Sequence, residues 1–316
     1  MVYYNTDARE KEYTKKVKIY TFVMEKQKKG LILKSGKQKN GGISMPVVNL
    51  DKVMHTASRM HLQLHHFARG TYPEAIGEPS ALPLNRFFLP VSNPDGDACY
   101  IRDRNLCFPL RPGCAYFIPV YHMAEVNLSS RLVFLSIQFT LECYDGVDLF
   151  SRCRSIREVE DPLWLERAEE AFRTRETFAA ASRLRGITQD FVSFLLESVD
   201  GETLESVTRL AEFLPELDYI RSHCSAKTGI EELAAVRGVR REVFSRAFSH
   251  AAGIPPKQFL TRALLNRACG LLLRGNRQVR EVAFELGFAN EFYFSRFFRK
   301  HTGIPPSRFA KRYTEE

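Results

Sequence analysis

The chain has 316 residues, of which 44% are apolar, 26% charged and 12% aromatic, an ordinary globular composition that is enough for about two domains. No apolar stretch reaches the roughly 18 residues that a membrane-spanning helix needs, and the seven cysteines include no C-x-x-C pair. The composition therefore excludes membrane proteins, zinc fingers and the disulfide frameworks of secreted domains, and we expect a cytoplasmic protein.

The net charge of +9 is distributed unevenly along the chain. Residues 1–45 contain 11 Lys and Arg against 4 Asp and Glu, residues 46–204 contain 16 against 21, and residues 205–316 contain 19 against 12. An acidic middle beside a basic last third indicates a polyanion-binding module attached to a part with a different role. Double-stranded DNA is the first candidate for the polyanion.

The first 45 residues differ from the rest of the chain in their use of lysine. They contain 10 of the 15 lysines, whereas the remaining residues use arginine almost exclusively. We expect either a disordered basic tail or a stretch that precedes the true start of translation, with Met45 as the initiator.

Residues 57–140 contain short runs rich in Phe, Tyr, Val and Ile that are separated by turn residues. The last run alternates apolar residues with Ser136, Gln138 and Thr140, a pattern typical of a half-buried strand. Strong turn sequences occur at 93–97 and 111–113. Together they predict an antiparallel β-barrel or jelly roll over residues 46–160. The predicted strands are 61–67, 85–91, 98–101, 106–110, 115–120 and 131–140.

One segment of this region resembles the second half of a cupin motif, with Leu-Arg-Pro-Gly at 110–113 followed by Phe-Ile-Pro at 117–119 and by His122. The resemblance implies a cupin-like sensor domain that holds a small organic ligand, with His65, Arg86 and His122 as its polar contacts. A metal site is the alternative, but the His-x-His pair of metal-binding cupins is missing. We therefore expect no metal and no other cofactor. The metal ligands considered are His61, His65, His66, His122 and Glu74.

Residues 161–204 predict linker helices, because apolar residues recur there at helical spacing. Two packing partners are considered for the longer stripe: the barrel of the same chain, or the same helix of a second subunit, which is the one we favour. The stripe residues are Leu163, Leu165, Ala168 and Phe172, and then Leu184, Ile187, Phe191, Phe194, Leu195 and Val199.

The last third of the chain contains an internal repeat. Val-Phe-Ser-Arg-Ala-Phe at 243–248 is answered by Tyr-Phe-Ser-Arg-Phe-Phe at 293–298. The tetrad Gly-Ile-Pro-Pro occurs at 253–256 and again at 303–306, which gives the same offset of 50 residues. Two long matches at one offset indicate a tandem structural duplication.

Each copy predicts a short helix, a tight turn at a glycine, and a second helix. Gly238 and Gly287 supply the turns, and Asn290 is a good N-cap for the second helix of the second copy. A connecting helix of about 18 residues, roughly 27 Å long, separates the copies. Successive major grooves on one DNA face lie roughly 34 Å apart, so the spacing suits two recognition helices. The residues expected on the buried faces are Val236, Val243, Phe244, Ala247, Phe248, Ala251, Phe294, Phe297 and Phe298.

This repeat resembles the AraC/XylS family of transcription regulators over about residues 208–312. The matching motifs include both Phe-Ser-Arg segments, both Gly-Ile-Pro-Pro tetrads, and Arg267-Ala268 with Leu271-Leu272 between them. The resemblance implies an all-α domain with two helix-turn-helix motifs joined by a long helix. The outward positions that the family uses on DNA are Glu242, Ser245, Arg246, Glu291, Phe292, Ser295 and Arg296.

Three further arginines are predicted to reach DNA. Helical spacing places Arg241 and Arg299 on the outward faces, and Arg240 stands where the family usually has a capping residue, so it is available for a phosphate. We expect Arg246 and Arg296 to contribute most to base recognition, because the arginine fork binds guanine O6 and N7 through two hydrogen bonds.

The sequence thus predicts an α+β multidomain chain: a basic tail at 1–45, a cupin-like sensor at 46–160, linker helices at 161–204 and a DNA-binding domain at 205–316. We expect a sequence-specific transcription regulator that is controlled by a small-molecule effector and is not an enzyme. The resemblance to the family favours an activator. A homodimer is favoured because two-fold symmetry is common in operators, and RNA polymerase is a further candidate partner. The alternatives are a metal-dependent cupin enzyme fused to a DNA-binding module and a nonspecific architectural DNA binder.

Overall fold

The computed structural model describes residues 54, 56–71, 77–104, 106–144, 147–197, 199, 209–274 and 277–314. The predictions for the tail at 1–45, for Met45 and for Glu74 concern residues outside these ranges. Within the described ranges, no helix is both long enough and apolar enough to cross a membrane.

The strands of the described residues form two antiparallel sheets. In chain order they are β1 (His61–Gly70), β2 (Asn85–Ser92), β3 (Tyr100–Arg102), β4 (Cys107–Pro109), β5 (Cys114–Ile118), β6 (Glu125–Asn127), β7 (Val133–Tyr144), β8 (Val147–Asp148) and β9 (Arg157–Glu160). The larger sheet has the order β1-β7-β2-β5-β9, with β8 beside β7, and the smaller sheet has the order β4-β3-β6.

The prediction of a closed barrel is wrong, although the six predicted strands are present. Among the described residues, no strand ladder joins the larger sheet to the smaller one, so the two sheets face each other as separate layers. A closed barrel requires every edge strand to pair with another, and the strands of the smaller sheet have only three residues each. One apolar cluster includes residues of both sheets: Phe88, Tyr116 and Phe134 from the larger sheet and Ile101 from the smaller one.

The prediction that β7 is half-buried is also wrong. Its apolar residues are buried, but Ser136, Gln138 and Thr140 are buried as well. The strand lies between β1 and β2 inside the larger sheet, and a strand that is covered on both faces has no solvent side.

The helices of the described residues follow the strands. They are α1 (Pro162–Arg173), α2 (Thr177–Leu196), α3 (Leu214–His223), α4 (Ile230–Arg237), α5 (Arg241–Ala252), α6 (Pro256–Leu273), α7 (Val279–Glu285), α8 (Glu291–Thr302) and α9 (Pro306–Thr314), with 3-10 turns at Gly96–Ala98 and Leu210–Phe213. The connecting helix α6 begins at the predicted proline pair and has the predicted 18 residues.

The longer apolar stripe, on α2, packs against the larger sheet of its own chain. The ring of Phe191 stacks on Phe87 with 3.6 Å between the centroids, and its edge contacts are with Phe117 and Trp164. The stripe thus packs on its own chain and not, as favoured from the sequence, on the helix of a second subunit. The predicted stripe residues Leu163 and Phe172 on α1 and Phe194 on α2 are more than a third exposed. The buried faces of α1 and α2 are therefore narrower than the apolar spacing predicted. The homodimer stays a prediction.

The sheets contact the C-terminal helices directly. The backbone N–H of Ala81 donates to the carbonyl of Thr302 at the end of α8, with a distance of 2.9 Å. Tyr121 lies in the loop after β5, and its hydroxyl donates to Oδ1 of Asn266 on α6 at 2.5 Å. The β-sheet part therefore contacts both α6 and the last helix pair.

Candidate nucleic-acid interface

The two helix pairs, α4 with α5 and α7 with α8, have the same turn. Gly238 and Gly287 have φ values of 70° and 78°, in the left-handed region that favours glycine. The next residues close equivalent hydrogen bonds, from Val239 N to Ala234 O and from Phe288 N to Ala283 O, both at 3.0 Å. The duplication inferred from the sequence is therefore present in the backbone.

The second helices of the two pairs begin differently. Oδ1 of Asn290 accepts hydrogen bonds from the backbone N–H groups of Phe292 and Tyr293 at 3.1 and 3.0 Å, so the predicted N-cap of α8 is confirmed. Arg240 occupies the N-cap position of α5, and its side chain caps no backbone group. Loss of a capping side chain costs about 1 kcal/mol, so the start of α5 is less firmly held than that of α8.

The solvent face of α5 and its N-cap contain half of the predicted DNA contacts. Arg240, Glu242 and Arg246 are exposed, and Ser245 is half-buried. Arg241 is exposed too, but it pairs with Glu231 of the preceding helix at 2.8 Å. The arginine side chains are therefore accessible from solvent. Arg241 would have to leave Glu231 to contact another group.

Three apolar residues of the first helix pair were predicted to be buried but are exposed. Val243 is 54% exposed, and Val236 and Ala247 are exposed as well. The buried face of α5 is a narrow stripe of Phe244, Phe248, Ala251 and Ala252, and α4 buries only Leu233 and Ala234. An apolar residue beside such a stripe stays in solvent although its spacing suits the core.

The solvent face of α8 has an aromatic character. Phe292 is 73% exposed and Tyr293 is 60% exposed, while Arg296 and Arg299 are exposed and Glu291 and Ser295 are half-buried. Sequence reasoning missed Tyr293 as a candidate site residue, because its repeat equivalent Val243 was expected to be buried and is instead exposed. Phe297 was predicted to be buried but is only half-buried. Its ring packs on the rings of Phe288 and His301.

Arg246 and Arg296 occupy equivalent positions in the two copies, 50 residues apart. Both are exposed, and neither has a hydrogen-bond or ion-pair partner in the part of the chain that the structure describes. Each stands near the middle of the second helix of its pair, where no ion pair or hydrogen bond from the described residues competes with an external contact.

The three predicted ligand contacts do not converge on one cavity. Nε2 of His65 lies 3.0 Å from Oγ1 of Thr140, and both residues line a cavity of about 410 Å³ that α6 also lines. Arg86 is buried on β2 opposite Gln138. His122 lies 3.3 Å from Oδ2 of Asp103 and lines a different cavity. Among the described residues, no three His, Cys, Asp or Glu side chains are grouped as a metal site requires.

Burial lowers the pKa of His65 from 6.5 to about 4. The folded protein therefore keeps His65 neutral where the unfolded chain protonates it, so this part of the stability is present above pH 6.5 and is lost as the pH falls toward 4. Between pH 7.5 and pH 5 we expect the loss from His65 to be about 2 kcal/mol. Urea unfolding at both pH values tests this: His65→Gln should reduce the pH-dependent loss by about that amount. The exposed His61→Gln should leave it unchanged, and an equal response of the two variants would contradict the prediction.

Comparison with known proteins supports the assignment of the helical part. The model of a helix-turn-helix domain matches residues 233–312. The transcriptional activator Btr of Bacillus subtilis is 31% identical over 78 residues, 25% of this chain and 15% of that protein. The MmsAB operon regulatory protein of Pseudomonas aeruginosa is 30% identical over 152 residues, 47% of this chain and 45% of that protein. The matched segments thus span less than half the length of these two relatives.

A solved structure extends the similarity to the sheets. The structure of ToxT from Vibrio cholerae has a TM-score of 0.52 at 12% identity, and the match covers 82% of this chain and 100% of ToxT. ToxT has also been solved with an unsaturated fatty acid bound, and that structure has a TM-score of 0.50 at 10% identity, over 81% of this chain and 98% of ToxT. At these identities the likeness is one of fold. From the matched residues, this chain contains a helix-turn-helix domain of the AraC type, and its relatives over that part are transcription regulators.

Proposed function

We propose that the protein is a sequence-specific transcription regulator that reads DNA with both helix pairs. The observation that carries the proposal is the equivalence of Arg246 and Arg296, two exposed arginines on helices that follow the same glycine turn. In helix-turn-helix proteins the second helix of the motif enters the major groove. The surplus of positive charge in residues 205–316 supplies phosphate attraction.

The aromatic pair on α8 adds a second kind of contact. Phe292 and Tyr293 lie in the first turn of the helix, where recognition helices contact base edges. An apolar ring there suits the methyl group of thymine. The second helix pair would therefore recognise a sequence with thymine beside the guanine that Arg296 binds.

We further propose that a small-molecule effector controls this binding. The contacts from Ala81 to the end of α8 and from Tyr121 to α6 give the sheets a direct mechanical connection to the DNA-binding helices. The fatty acid bound to ToxT supports an effector for a protein of this fold. A cytoplasmic homodimer that activates transcription through RNA polymerase, without enzymatic activity of its own, completes the proposal.

The first test is selection of genomic DNA fragments on the purified protein at about physiological salt, followed by sequencing. A narrow set that shares a motif, with half-sites about one helical turn apart, is expected. A broad set without a motif would contradict sequence-specific recognition and favour the nonspecific architectural binder.

On the selected site, Arg296→Ala should cost about 1–3 kcal/mol of binding free energy and relax the preference at one base position. Arg299→Ala, one turn further along α8, is the matched control. We expect it to weaken binding to all sequences alike and to reduce the salt dependence, as a phosphate contact does. Binding to a panel of single-base variants measures both effects, and a uniform loss with Arg296→Ala would contradict its role in base recognition.

A further inference from the structure

A cleft of about 550 Å³ lies where loops of the β-sheet part meet the end of α5 and the start of α6. Four arginines line it: Arg104, Arg152 and Arg154 from the sheet side, and Arg262 from α6. Asp103 is the one carboxylate among the described lining residues, and it contacts the ring of His122 at 3.3 Å. The cleft is therefore strongly cationic.

The four arginines of this cationic cleft lack carboxylate partners within the described ranges. By contrast, Arg69, Arg102 and Arg131 near the same sheets each pair with an aspartate or a glutamate. Nη1 of Arg152 is buried and has no hydrogen-bond acceptor among the residues that the structure describes. A buried charged donor without an acceptor is costly, and a bound ion is one of the established reasons for such a group.

The α6 side of the cleft holds its arginine firmly. Nη1 of Arg262 donates to the backbone carbonyl of Ser151 at 3.4 Å, and the guanidinium lies 4.5 Å from the centre of the Tyr121 ring. Burial lowers the pKa of Arg262 below its usual value, since removal from water disfavours the charged form. An anion in the cleft would offset this cost.

The cleft is built on the first repeated tetrad. The guanidinium of Arg152 packs against Gly253, and a Cβ at that position would collide with it. In the second copy, a Cβ at Gly303 would collide with the backbone carbonyl of Pro79. The β-sheet part thus contacts both tetrads at the same point, where the second helix of each pair ends.

We propose that the cationic cleft binds a small polyanion, a molecule with two or more phosphate or carboxylate groups. Guanidinium groups match both kinds of anion through paired hydrogen bonds, and the cavity volume is typical of small-molecule sites. Four arginines against one aspartate in the lining favour a ligand with several negative charges over an uncharged one. An anion held by Arg154 and Arg262 together would fasten the sheets to α6. Its effect on DNA binding rests on the proposed function, but its binding does not.

Calorimetry on the full chain without DNA tests the binding, with pyrophosphate and citrate as the two probes and sodium chloride at matched ionic strength as the reference. We expect at least one probe to bind the wild-type protein. Arg154→Gln, at an exposed position, should weaken binding about tenfold or more, because it removes a charge-assisted hydrogen bond to the anion. Arg152→Gln with Arg154→Gln should abolish it.

The matched control is Arg175→Gln, an exposed arginine outside the cleft. It should bind both probes as the wild-type protein does. Absence of binding for both probes, or an equal loss in Arg175→Gln, would overturn the proposal. Pyrophosphate without citrate binding would assign the site to phosphate compounds, and the reverse would assign it to carboxylates.

Binding of the selected DNA site by the same variants separates this proposal from the proposed function. If Arg154→Gln loses the anion but retains sequence-specific DNA binding, the anion site is supported and the DNA interface lies elsewhere. If Arg154→Gln instead weakens binding to every DNA sequence while neither anion binds, the cleft holds DNA phosphates and the proposal is wrong.

Discussion

Replacement of Arg237 by alanine is expected to lower the free energy of unfolding by about 3–5 kcal/mol. Arg237 ends α4, and its Nε donates to Oε1 of Glu216 on α3 at 2.6 Å. The Glu216 side chain is only 1% exposed, so it depends on this partner. The same guanidinium also donates to the backbone carbonyl of Glu212 and lies 3.9 Å from the centre of the Phe213 ring. Alanine would leave a buried carboxylate without its counter-charge.

The matched control is Arg241→Ala, which removes an exposed ion pair with Glu231 from the same helix pair. Exposed pairs contribute about 1 kcal/mol or less, so the two losses should differ several-fold in urea unfolding followed by circular dichroism. The double variant Arg237→Met with Glu216→Leu should recover most of the loss, because an apolar pair needs no counter-charge. Equal losses for Arg237→Ala and Arg241→Ala would show that Glu216 does not depend on Arg237.

Local chemistry explains why the repeat could be predicted from the sequence. A glycine that supplies a left-handed turn, an asparagine that caps a helix and a proline pair that opens one act over a few residues. The structure accordingly has the turn at Gly238, its copy at Gly287 and the cap at Asn290. Where a cap is missing, at Arg240, the sequence also indicated the loss.

Contacts between distant segments explain what the sequence did not predict. Strand positions follow from local alternation, but whether the sheet closes depends on which edge strands pair, and β1 and β9 lie far apart in the chain. The sequence patterns did not predict α3, whose buried Glu216 is stabilised from α4. His65 and His122 were assigned to one pocket because spacing alone does not tell which cavity a side chain lines. The cationic cleft combines arginines from three separate segments.

Replacement of Phe191 by alanine is expected to cost about 3–5 kcal/mol, the usual range for a buried phenylalanine. Phe191 is fully buried between α2 and the larger sheet, where it stacks on Phe87 and contacts Trp164. Alanine removes these contacts and leaves a cavity that the rigid sheet cannot fill. Phe178→Ala is the control, because Phe178 lies on the same helix and is 86% exposed, so its loss should stay within about 0.5 kcal/mol.

Protein concentration makes the Phe191→Ala experiment informative about assembly. If α2 packs on the sheet of its own chain, the loss caused by Phe191→Ala should be the same at low and high protein concentration. If the same stripe instead formed the interface between two subunits, the midpoint of unfolding would shift with concentration, since association stabilises by mass action. Thermal unfolding over a hundredfold range of concentration distinguishes the two. A dependence that Phe191→Ala abolishes would contradict the packing described for α2, whereas one that Phe178→Ala abolishes would place a homodimer contact on the opposite, exposed face of that helix.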